Sequence, residues 1–108
     1  MSIGIWVETP GEGENRDVAD LTYNLTPMLR KAFLRAAHGR WIRDFHGMPA
    51  SSVAPLARAV LDELVWNPAV YRALEPDNGW GTYDDAVTVM LDLWRACAEH
   101  IDGSVRVD

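Results

Sequence analysis

From Thr82 to His100 the chain places Tyr83, Ala86, Val87, Met90, Leu93, Trp94 and Cys97 on one helical face. Ile101 continues that stripe, and Val89 and Leu91 widen it. A stripe this broad predicts a long helix buried along most of one side, around which everything else must pack. Just ahead of it lies Asn78-Gly79-Trp80-Gly81-Thr82, where two glycines flank a tryptophan. Glycine tolerates positive φ and close backbone approach, so this segment reads as a shaped turn.

Two further helices are expected. The first starts at Thr26 as cap with Pro27 at the first helical position, carries Met28, Leu29, Ala32, Phe33 and Ala36 inward, and stops at Gly39 after His38. The second follows a Ser51 or Ser52 cap, holds Pro55 in its first turn, and runs on Val53, Leu56, Ala57, Val60, Leu61 and Leu64. Asn67 and Pro68 then open a short helix through Leu74. Residues 40–49 mix Trp41, Ile42, Phe45 and Met48 with charges and read as a packed loop or short helical turn.

The termini look extended. Ile3, Ile5 and Val7 alternate with Gly4, Trp6 and Glu8, and Ser104-Val105-Arg106-Val107 alternates likewise. A lone strand cannot satisfy its ladder groups, so the two should pair with each other against the third helix. An acidic loop after Pro10-Gly11 leads into Val18–Tyr23, which suits extended chain. The expected fold is therefore α+β and mainly helical, with three main helices and paired N- and C-terminal strands in one small globular domain, residues 1–108. A two-stranded sheet leaves open edges, and pairing across a homodimer would cover one of them.

Composition bounds the function. The chain has 108 residues, 48% hydrophobic and 24% charged, and a single Cys97 that falls on the buried face of the third helix. One cysteine allows no internal disulfide, which makes a cytoplasmic setting the natural expectation. No run of about 18 apolar residues occurs, and Met1–Val7 lacks the basic, long-apolar form of a signal peptide. A formal net charge of −6 argues against general nucleic-acid binding. The charge is uneven: Glu8, Glu12, Glu14, Asp17 and Asp20 crowd one stretch, whereas Arg30, Lys31, Arg35, Arg40 and Arg43 crowd another. Two complementary patches that partly neutralise each other are the plain reading.

Asn24-Leu25-Thr26-Pro27-Met28, Tyr71-Arg72-Ala73-Leu74 and Pro76-Asp77-Asn78-Gly79-Trp80-Gly81-Thr82-Tyr83 resemble a family of small proteins from actinobacteria and their phages. The likeness extends to Val105-Arg106-Val107 and covers most of the chain, although Asp77 stands where the family has asparagine or serine. It implies a compact domain and a phage or actinobacterial source, and it carries over no catalytic residues.

Candidate binding residues are Asn24, Arg30, Asn78, Trp80 and Tyr83. A helix N-terminus offers unpaired N–H groups to an anion or carbonyl, and Arg30 and Lys31 add charge near the first one. Asn78, Trp80 and Tyr83 would supply an amide, a stacking face and a hydroxyl if the two turns adjoin in space. The competing reading has Trp80 and Tyr83 filling the core, with both asparagines bonding backbone groups of their own turns. Asp84 and Asp85 would repel an anion from the third helix, which favours the first. His38, His46 and His100 lack metal-ligand spacing, and no nucleophilic triad, Walker loop or dinucleotide fingerprint occurs. Trp41 and Phe45 interleave with Arg40 and Arg43 in the manner of single-strand binders, but the overall acidity opposes that use. The expectation is a small non-enzymatic binding or accessory protein that engages a protein partner or small polar ligand and needs no metal or cofactor. Alternatives are an enzyme or sequestering protein for a nucleotide-like or anionic ligand at the start of the first helix, and a self-assembling homo-oligomer.

Overall fold

A computed structural model describes residues 2–11, 15–77 and 79–108. Strand β1, Ser2–Glu8, lies at the centre of an antiparallel sheet, with β2, Asn15–Thr22, on one side and β3, Ser104–Val107, on the other. The terminal strands do pair, with Ile5 opposite Val107 and Val7 opposite Val105. The sheet has three strands, however, because the chain after the acidic turn runs back along β1 from Asn15. Polar residues in 15–17 hid that strand from a reading based on apolar alternation. The register shifts between Ile5 and Trp6, where Ile5 faces Ala19 and Trp6 faces Asp17, so Val18 is the extra residue of a bulge.

The free side of β3 is covered from within the chain. Gly47 N–H donates to Val105 C=O at 2.8 Å, Val105 N–H to Met48 C=O at 2.9 Å, and Val107 N–H to His46 Nδ1 at 3.0 Å. Ala50 N–H completes the seam at Gly103 C=O, 2.8 Å away. This satisfies ladder groups that an edge strand would otherwise leave open.

Helix α1, Thr26–Ala36, packs with α2, Ala50–Trp66, and α4, Tyr83–Glu99; the short α3, Pro68–Arg72, links the last two. The α4 stripe is buried as its spacing predicts, except that Ile101 is exposed and Val87 and Trp94 are half-buried. Its start is fixed by a reciprocal cap: Thr82 Oγ1 accepts from Asp85 N–H at 3.2 Å, and Asp85 Oδ2 from Thr82 N–H at 3.1 Å. Such a cap stabilises a helix by about 1 kcal/mol. Phe33 of α1 sits between Trp41 and Phe45, with ring centroids 5.3 and 5.5 Å away.

Three expected caps fall elsewhere. A 3-10 turn, Tyr23–Leu25, precedes α1, so the capping hydroxyl is Thr22, which accepts from Asn24 N–H at 3.1 Å, and Thr26 is already helical. Helix α2 begins at Ala50, held by the Gly103 bond, which leaves Ser51 and Ser52 exposed and puts Pro55 beyond the first turn. Asn67 acts backwards: its Nδ2 donates to Glu63 C=O at 2.9 Å and closes α2 instead of capping α3.

Candidate functional site

The local folding of residues 22–30 and 41–45 builds one recess. Thr22 and Pro27 fix the 3-10 turn onto α1, and Arg30 follows Thr26 and Pro27 by one helical turn, which brings all three to one face. Opposite them a second 3-10 turn, Ile42–Phe45, presents Arg43. Ile3 of β1 and the Trp41 ring form the apolar base, and Tyr23 flanks the opening. The recess is open to solvent and holds about 430 Å³, within the roughly 300–1,000 Å³ range of small-molecule sites.

Arg30 and Arg43 line the recess, and among the described residues no acidic side chain does. The Arg30 guanidinium lies over the Trp41 ring, 4.5 Å from its centroid, and among the described residues it has no hydrogen bond or ion pair. Trp41 is itself pinned, 8% exposed, edge-on to Phe33, with its N–H donating to Asp44 Oδ2 at 2.7 Å. Arg43 donates to a main-chain oxygen of Asp108 and to Tyr23 Oη at 3.4 Å, which leaves three of its five N–H groups for other acceptors. The Asp108 carboxylate, which adjoins this wall, turns instead to Gly4 N–H at 2.6 Å.

The two turns singled out in the sequence do adjoin. Gly81 has φ of +78°, and a Cβ there would lie 2.8 Å from Asn24 Cβ and 3.0 Å from its carbonyl carbon. Only glycine permits that approach. Their residues nonetheless take different places. Arg30 lines the recess; Asn24 is exposed beside it on the Gly81 turn; Trp80 is 68% exposed. Tyr83 is 7% exposed and spent inside the fold: its hydroxyl donates to Leu64 C=O at 2.6 Å, and Arg72 covers its ring at 4.5 Å. It offers no hydroxyl to a ligand. Asn78 lies outside the described residues.

Part of the expected N–H set at the start of α1 is spent within the chain. Thr26 N–H bonds Tyr23 C=O within the 3-10 turn, Asn24 N–H bonds Thr22, and Pro27 has none. Attraction for an anion therefore rests mainly on the guanidinium groups. Tyr23, Trp41 and Arg43 were the lining residues missed as a set; the interleaved aromatic and basic residues of 40–45 were the only signal for two of them.

Other charge-bearing groups have structural roles. Among the ion pairs of the described residues, Glu8 of the acidic stretch meets Arg106 at 2.7 Å and Arg35 of the basic segment meets Glu63 at 3.5 Å; Glu12 and Glu14 lie outside the described residues. Glu63 also accepts from the Tyr71 hydroxyl at 2.7 Å; burial first, then this carboxylate, pushes the phenol well above its ordinary range. Burial likewise raises the Cys97 thiol to about 11. Among the described residues no three His, Cys, Asp or Glu side chains gather as metal ligands, and no helix is long and apolar enough to cross a membrane. Set against family models, curated proteins and solved structures, the chain matches none.

Proposed function

We propose that this chain is a small non-enzymatic binding protein whose ligand seat is the recess at the start of α1. The observation that carries the reading is Arg30, which lines this cavity beside Arg43 and, among the described residues, has no acid partner, in a chain with net charge −6. A guanidinium left without an acceptor in a recess fits a ligand that supplies one. Asn24 and the exposed Trp80, on the adjoining turn, extend the contact surface for a larger partner. The resemblance to actinobacterial and phage proteins supports a phage or actinobacterial origin, and the lone buried Cys97 supports a cytoplasmic setting.

Native mass spectrometry of the protein and of Arg30→Gln, both purified gently from an actinobacterial host, tests this. A non-covalent extra mass that is depleted in the variant supports the reading. A clean apo mass in both contradicts it.

A self-assembling homodimer is the second reading, favoured by β2. It is the outer strand of the sheet, with β1 on one side and, among the described residues, no strand on the other, whereas the β3 edge is covered. A concentration-independent monomer mass in sedimentation would remove it.

A further inference from the structure

We infer that the recess takes a phosphate monoester carried on a planar ring, a ligand class that rests on the binding reading above and sharpens it. The donor set points to phosphate. Arg30, the remaining N–H groups of Arg43 and the Thr26 hydroxyl outnumber what the two oxygens of a carboxylate can use, whereas a phosphate monoester offers three strong acceptor oxygens. The residues suit a fork-shaped donor. The Arg30 guanidinium lies over the Trp41 ring, 4.5 Å from its centroid, and no described acceptor takes its N–H groups, so two of them are available for parallel bonds to one oxyanion. Arg43, oriented by the Asp108 main-chain oxygen and Tyr23 Oη, adds its remaining N–H groups. The Thr26 hydroxyl adds a neutral donor.

The ring has one obvious seat. Trp41 is occupied by Arg30 on its face and by Phe33 at its edge, so it serves as a prop for Arg30. Tyr23 is 41% exposed at the opening, and the outward face of the Arg30 guanidinium is a second flat surface. Planar rings stack on both kinds of surface.

Among the described residues, three arginines lie over aromatic rings, and the other two are already satisfied. Arg58, over Trp94, pairs with Asp62 at 3.0 Å; Arg72, over Tyr83, pairs with Glu75 at 3.9 Å and Asp84 at 3.5 Å. Arg30 has no acid, and the recess supplies the space for one to arrive from outside.

Calorimetric titration of the intact protein with phenyl phosphate, inorganic phosphate and benzoate tests the assignment. Phenyl phosphate should bind about tenfold more tightly than inorganic phosphate, the ratio that one stacked ring supplies, and more tightly than benzoate. Arg30→Gln should weaken both phosphates at least tenfold. Tyr23→Ala should erase the advantage of phenyl phosphate over inorganic phosphate, and Tyr23→Phe, which keeps the ring, should retain it. Preference for benzoate, or equal binding of both phosphates by the parent protein, overturns the ligand class. So does an Arg30→Gln variant that melts like the parent and binds unchanged. If no probe binds but the native protein carries an extra mass that Arg30→Gln depletes, this inference fails and the binding reading survives. If neither is seen, both fail.

Discussion

Arg30 over Trp41 and Arg72 over Tyr83 share a geometry, each guanidinium 4.5 Å from its ring centroid, yet their surroundings differ in every other respect. Arg72 is held between Glu75 and Asp84, and the ring beneath it is locked through its hydroxyl to Leu64 C=O at the end of α2. Glu75 also accepts from Tyr83 N–H at 2.8 Å, so every strong polar group there is answered from within the chain. Arg30 has only its ring. The contrast teaches that an arginine stacked on an aromatic is not itself a sign of structure or of binding. What separates the two is whether the remaining donors have been given an acceptor.

Substitutions make the contrast measurable. The largest effect is expected for Tyr83→Ala, which empties a buried site and removes the hydroxyl's bond to the Leu64 carbonyl; unfolding by denaturant should show a loss of about 3–5 kcal/mol. A loss below 1 kcal/mol would mean that this pair is not structural. Gly81→Ala comes next, at about 2–3 kcal/mol, since it adds a Cβ at positive φ and drives it to 2.8 Å from Asn24 Cβ. An unchanged melting temperature would show that the two turns are not packed together.

The interior that α4 builds around Tyr83 can also be probed by pH. Burial lifts Cys97 from 9.0 to about 11 in the folded chain, so the thiolate is favoured more in the unfolded state. A folded pKa raised in this way gives stability that is intact below pH 9 and lost as pH climbs towards 11. The loss should be about 2 kcal/mol at pH 11, relative to Cys97→Ala. Denaturant curves at pH 7, 9 and 11 for both proteins measure it, and parallel curves would place the thiol in water. Tyr71, raised in the same direction, adds to the alkaline loss in both proteins. The smallest effects belong to the other side of the comparison. Arg30→Gln and Trp80→Ala should each move stability by no more than about 0.5 kcal/mol, because one side chain has no acid and the other is 68% exposed. A drop above 2 kcal/mol in Arg30→Gln would make its ring contact structural and remove the distinction.

These two regions were unequally legible in the sequence. Helix α4, its Thr82 start and the pairing of the terminal strands follow from periodicity and local caps, both of which are properties of neighbouring residues. The start of α2 was displaced by a bond from Ala50 to Gly103, and the β3 edge is covered by residues 46–50; neither contact leaves a local trace. The recess is harder still. Tyr23, Arg30 and Arg43 lie on three separate turns, and Arg43 is oriented by a main-chain oxygen 65 positions away. Arg30 was visible because it lies within the first two turns of an expected helix, and the adjoining of Asn24 and Gly81 was anticipated only as a condition. Tyr83 was misplaced as a ligand contact because a tyrosine after a glycine turn looks the same whether its hydroxyl points outward or meets Leu64.

The most direct test is a nitrogen–proton correlation spectrum of the arginine Nε–Hε groups, recorded while inorganic phosphate is added. The account predicts saturable shifts at Arg30 and Arg43, with Arg72 and Arg58 unmoved because acids of the chain already hold them. Shifts of equal size at all four arginines, or none at Arg30, would contradict it.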